Sequence, residues 1–140
     1  MICYFDASAL VKRYIQENHS ERVIELLNTS RPATSRLSEV EVASAIVRRT
    51  GGGDIEPLDR DRILAALPVD LETLYILEIS PEVCARTYGL LLRNRLRASD
   101  SLQLASCLHL QERVGRRVRF VAYDDRLNEA ALTEGLEVEG

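Results

Sequence analysis

Four acidic residues stand where a chain of alternating strands and helices would turn over the edge of a sheet. Asp6 directly follows the apolar run Ile2 to Phe5, and Asp124 follows the run Val118 to Tyr123. Glu41 falls in the first turn of a helix read from Ser38 to about Arg49. Asp100 falls in the first turn of one opened by Ser99. Each acid has a bland use, because carboxylates at helix N-termini satisfy free amides and the helix dipole. Asp6 and Asp124 read as N-caps, and Ser38 with Glu41 matches the Ser-x-x-Glu capping box. Jointly the caps explain less. A cap contributes about 1 kcal/mol, whereas two like charges roughly 5 Å apart cost about 3 kcal/mol at an effective dielectric of 20. A divalent cation reverses that balance. Magnesium and manganese favour carboxylate and water ligands, activate water and steady a phosphoryl transition state.

The elements that must position these acids follow from periodicity. Ile2 to Phe5 predicts a strand, and Ala7 to about Glu17 a helix with Leu10, Val11, Tyr14 and Ile15 on one face. Ser20 opens a second helix, Pro32 to Ser35 is a short extended segment, and the helix from Ser38 stops at Gly51-Gly52-Gly53. A helix from Asp59 to Leu67 and a strand from Leu74 to Ile79 come next. Helices from Pro81 to Leu96 and Ser99 to Val114, a strand from Val118 to Tyr123, a helix from Asp125 to Thr133 and a strand from Leu136 to Val138 complete the chain. Strands separated by helices imply a parallel sheet with helices on both faces, and ligands of such sheets bind beyond the strands' carboxyl ends. Asp6, Glu41 and Asp124 reach that edge through their strands; Asp100 needs tertiary folding to arrive there.

Composition narrows the classes. The chain has 140 residues, 46% hydrophobic and 29% charged, with a formal net charge of −4, the profile of one folded domain rather than a disordered or fibrous chain. No apolar run approaches a membrane span of roughly 18 residues, and Met1 to Asp6 has no basic leader, so the expectation is a cytoplasmic protein with no membrane association. Cys3, Cys84 and Cys107 read as free thiols, and His19 and His109 are too few for a zinc cluster. The 18 basic residues include a single lysine, Lys12, and are otherwise arginine. That disfavours Schiff-base and P-loop chemistry, and also response-regulator or dehalogenase readings that want a late lysine. Gly51 to Gly53 follows a helix and precedes no Gly-Lys-Ser/Thr, so it reads as a flexible C-cap.

Four blocks carry a family resemblance. Asp6-Ala7-Ser8-Ala9-Leu10-Val11-Lys12 resembles the opening motif of PIN-domain nucleases, especially the VapC toxins of bacterial toxin–antitoxin pairs. Ser35-Arg36-Leu37-Ser38-Glu39-Val40-Glu41 is similar to their second block, Arg97-Ala98-Ser99-Asp100-Ser101-Leu102-Gln103-Leu104-Ala105 to the third, and Phe120-Val121-Ala122-Tyr123-Asp124-Asp125-Arg126-Leu127 to the fourth. The blocks span nearly the whole chain, in order. The resemblance implies a single PIN-like domain over residues 1–140, a three-layer α/β/α fold around a central parallel sheet. It also implies an Mg2+- or Mn2+-dependent endoribonuclease acting on RNA. Asp6, Glu41 and Asp100 would be the principal acids, Asp124 a fourth metal ligand, and Ser8 a hydroxyl that orients a carboxylate. It further implies a homodimer and a cognate VapB-like antitoxin whose segment covers the site. The apolar faces carrying Leu10, Tyr14, Ile24 and Leu27 offer it a groove, although core packing explains them equally well. One departure is Ala122, where the family often has threonine or serine.

Neighbouring charges are assigned less. Glu39 and Asp125 lie outside the motif positions and read as solvated. Arg93, Arg95 and Arg97, just upstream of Asp100, either form an ordinary surface or bind RNA backbone, since guanidinium grips phosphate bidentately. A catalytically silent PIN-like module that binds RNA or protein is the alternative; loss of a matched acid would be its mark, and all four are present.

Overall fold

Side chains alternate along a strand, so an unbroken apolar run such as Ile2–Phe5 needs a core on each face. In the computed structural model, which describes residues 1–139, it has them: Cys3 and Phe5 enter one buried cluster and Tyr4 the other. This strand, β1 (Ile2–Phe5), lies at the centre of a sheet with β2 (Arg31–Ser35), β3 (Tyr75–Leu77), β4 (Val118–Val121) and β5 (Glu137–Glu139). The order is β3-β2-β1-β4-β5, and every pairing is parallel.

Helices cover both faces. On one, α1 (Ala7–Leu10), α2 (Ser20–Thr29), α3 (Arg36–Gly51) and α4 (Pro57–Leu71) bury Leu10, Leu26, Ile46 and Leu67 with Cys3 and Phe5. On the other, α5 (Pro81–Arg93), α6 (Ala98–Val114) and α7 (Asp125–Thr133) bury Leu90, Leu104 and Leu127 with Tyr4 and Phe120. The rings of that last pair stack at 5.8 Å. The fold is thus the expected three-layer α/β/α arrangement around a parallel sheet. No helix among the described residues is long and apolar enough to cross a membrane.

Several boundaries differ from the periodicity reading, each for a local reason. The helix expected from Ala7 to Glu17 ends after one turn and tightens into a 3-10 turn at Val11–Arg13. Ser20 holds the following loop instead, accepting from Glu17 N–H and donating to the Ile15 carbonyl. Helix α3 begins at Arg36, not Ser38, because the Ser35 hydroxyl caps it by accepting from Leu37 N–H. The capping box is therefore absent: Ser38 is wholly buried inside the helix, and Glu41 lies beyond the first turn. Helix α4 runs from Pro57 to Leu71 rather than 59 to 67; burial of Leu67 and Leu71 carries it through Pro68. Strand β4 stops at Val121 because Asp6 N–H takes the Val121 carbonyl and Tyr123 N–H turns to the Ser8 hydroxyl.

The apolar faces proposed for a partner divide. Leu10 is core, while Ile24 is 40% exposed and lines a groove with Leu27, Arg13 and Leu74.

Candidate active site

Strand β1 sits where the sheet order reverses, with β2 on one side and β4 on the other, the position at which open α/β sheets form a crevice. A cleft of about 400 Å3 occupies it. Asp6, Ser8, Glu41, Asp100, Gln103 and Asp124 all line this cleft. The four acids come from four separate segments: the end of β1, the second turn of α3, the first turn of α6 and the cap of α7.

Asp6 is almost fully buried. It caps α1 as expected, its Oδ1 accepting from Ala9 N–H at 3.0 Å and from the Ser8 hydroxyl at 2.7 Å. Burial nevertheless pushes its carboxyl up to about 7, with Glu41 and Asp100 adding like-charge repulsion and the Ser8 and Ala9 bonds opposing. The Ser8 hydroxyl also accepts from Tyr123 N–H at 3.0 Å, tying α1 to the segment after β4. The Ala122 side chain is buried without a polar group, and the carbonyl of that residue is held by Asn128. The hydroxyl contact to the Asp6 carboxylate comes from Ser8.

Asp100 is partly buried, and its carboxyl is also raised, first by burial and then by the charge of Asp124; Arg97, the backbone and Arg126 pull it back. Asp124 is exposed and caps α7, its Oδ1 accepting from Leu127 N–H at 3.1 Å. Glu41 accepts from the Gln103 amide at 2.8 Å. Glu39 stands by Arg36 and Asp125 is exposed; neither lines the cleft.

No three His, Cys, Asp or Glu side chains among the described residues form a ready coordination shell. The acids share a cleft rather than a preassembled cage. Their donor chemistry still fits one kind of ion. Carboxylates with hydroxyl and amide neighbours, and no thiol or imidazole in the lining, suit a hard divalent cation.

The arginines separate as well. Arg93 is held by Glu134 through two hydrogen bonds of 2.9 and 3.0 Å, so its charge is already matched. Arg95 is exposed and lines a different groove with Arg93 and Arg126, and Arg97 is exposed at the start of α6. Reasoning from the sequence missed Arg48, Arg49, Asp54 and Gln103, all of which line the cleft. A signal was present for two of them. Arg48 stands seven residues after Glu41 and Gln103 three after Asp100, spacings that share a helix face.

Comparison with known proteins identifies the family. Residues 3–132 match the family model of the PIN domain. The chain is 31% identical over 136 residues to "Ribonuclease VapC46" of Mycobacterium tuberculosis, covering 96% of this chain and 94% of the relative. Among solved structures, VapBC2 from Rickettsia felis, bound to a DNA fragment from its promoter, superposes with a TM-score of 0.70 at 13% identity, over 99% of this chain and 98% of the other. VapC20 of Mycobacterium tuberculosis, described as a sarcin-ricin loop cleaving toxin, gives 0.65 at 14% identity, over 91% and 94%. The chain belongs to the PIN-domain family and, within it, to the VapC type.

Proposed function

We propose that this protein is a divalent-metal-dependent endoribonuclease, hydrolysing RNA phosphodiester bonds, and the toxin partner of a VapB-like antitoxin. The observation that carries the reading is the convergence of Asp6, Glu41, Asp100 and Asp124 on one cleft at the sheet's reversal point. A relative named ribonuclease and neighbours solved as VapBC complexes support it.

Within this reading the four carboxylates would hold Mg2+ or Mn2+. When bound, such a cation lowers the pKa of a coordinated water and stabilises charge developing on phosphate oxygens. The chain's own groups prepare the cleft. Asp6 must lose its proton to serve as a ligand, and the Ser8 and Ala9 bonds to Oδ1 favour that loss. Arg48 brings a guanidinium to the cleft wall, where a phosphate backbone would enter, whereas the neighbouring Arg49 is already paired with Glu17 at 3.0 Å. We extend the proposal to a cytoplasmic homodimer, supported by the exposed apolar side chains Tyr88 and Leu92 one helical turn apart on α5.

Cleavage of RNA in magnesium or manganese, with EDTA controls, tests the reading. Asp6→Asn and Asp100→Asn, shown to be folded, should lose cleavage by at least about 100-fold, on the scale of removing one electrostatic catalytic group. Folded variants that cut as well as wild type would overturn it.

A further inference from the structure

Gln103 is 2% exposed on α6, and its amide bonds three residues on two other elements. Its Oε1 accepts from the Tyr4 hydroxyl of β1 at 2.6 Å. Its Nε2 donates to Glu41 Oε1 at 2.8 Å and to Ser38 Oγ at 3.0 Å, both on α3. Thr34 of β2 extends the network: its Oγ1 lies 2.6 Å from the Phe5 carbonyl oxygen and 2.7 Å from Ser38 Oγ. Counting protons sets the directions. The Phe5 carbonyl can only accept, so the Thr34 proton goes there and Ser38 donates to Thr34. Ser38 then accepts from Gln103. A flipped amide would set Oε1 against the Glu41 carboxylate, two acceptors face to face.

We propose that Gln103 is a positioning residue for Glu41. Its amide, oriented by Tyr4 and Ser38, fixes Glu41 Oε1 and leaves the second carboxylate oxygen to the cleft. The network also ends on the carbonyl of Phe5, the residue before Asp6, so one buried chain of bonds sets the spacing between two of the acids. Without the amide, Glu41 regains side-chain rotamers and must be ordered anew when a cation binds. This inference rests on the proposal that the cleft holds Mg2+ or Mn2+.

Calorimetric titration of Mn2+ into wild type, Gln103→Leu, Glu41→Gln and the double variant tests it. Loss of a hydrogen bond behind a ligand weakens metal affinity by about 10- to 100-fold, and Gln103→Leu should fall in that range, with KM for RNA unchanged at saturating Mn2+. In the Glu41→Gln background the same change should cause no further loss, because the two act through one contact. A wild-type Kd in folded Gln103→Leu, or losses that multiply in the double variant, would overturn the positioning role. If Gln103→Leu does not fold, Tyr4→Phe removes only the hydroxyl that orients the amide; it should weaken Mn2+ binding by about threefold, a fraction of the direct loss, and an unchanged Kd there refutes the role. Wild type that binds no Mn2+ at all would instead overturn the metal reading itself, and this inference with it.

Discussion

The Ser8 hydroxyl donates to Asp6 Oδ1 across 2.7 Å and at the same time accepts Tyr123 N–H at 3.0 Å. One oxygen thereby links the buried acid after β1 to the chain leaving β4, the two strands that flank the cleft. Ser8→Ala removes a donor to a carboxylate, a bond worth roughly 1.5–3 kcal/mol. The acid limb of the pH–rate profile should then move to higher pH by about one to two pH units, at 1.36 kcal/mol per unit. An unmoved limb would show that Ser8 only fastens the loop.

Asp6 makes stability pH-dependent in an unusual sense. Its folded carboxyl is raised to about 7, against about 3.9 unfolded. Between those values the folded state binds the extra proton, so stability of the EDTA-treated protein falls as pH rises from about 4 to 7. Above pH 7 the loss reaches up to about 4 kcal/mol. Asp6→Asn keeps an oxygen for Ser8 and Ala9 without the charge. Thermal melts in EDTA should show the variant more stable than wild type at pH 8, with the gap closing by pH 4.

Asp124 carries two readings, helix cap and metal ligand, and substitution separates them. Asp124→Ala should destabilise by about 1 kcal/mol, whereas Asp124→Ser, which can still accept from Leu127 N–H, should stay within a few tenths. Denaturant melts report that difference. Both variants should cleave RNA poorly if the carboxylate binds the cation; full activity in Asp124→Ser would leave Asp124 as a cap alone.

Arginine contributions to RNA binding are separable by salt dependence in the Asp6→Asn background, where substrate persists. Arg48→Ala, Arg95→Ala and Arg97→Ala should each flatten the slope of log K against log salt by about 0.7, the value for one phosphate contact to a single strand. Arg93→Ala should leave the slope unchanged, since Glu134 already neutralises that guanidinium.

Local signals were legible in the sequence. Apolar runs, a short extended segment and turn residues marked where strands and helices lie, though not all their bounds, and Asp6 and Asp124 were visible as caps because a cap bonds amides only three residues away. Even local reading failed where two caps competed. Ser38, with Glu41 three residues on, carried the capping signal, yet the cap is Ser35 because Ser38 is needed in the core by Thr34 and Gln103. Gln103 lay inside the third block and three residues after Asp100, but its partner Glu41 is 62 residues away, so no local pattern showed their bond.

Sequence alone determined that this chain alternates strands and helices and that acids stand at the ends of particular elements, since periodicity and capping involve neighbours along the backbone. Only the tertiary structure decided that the strands order as β3-β2-β1-β4-β5, that Asp100 comes to the edge where Asp6 and Asp124 lie, and that Gln103 faces Glu41. Those outcomes depend on how two helical layers bury their apolar faces against one sheet. Burial is non-directional and summed over the whole core, so no short stretch of sequence encodes it.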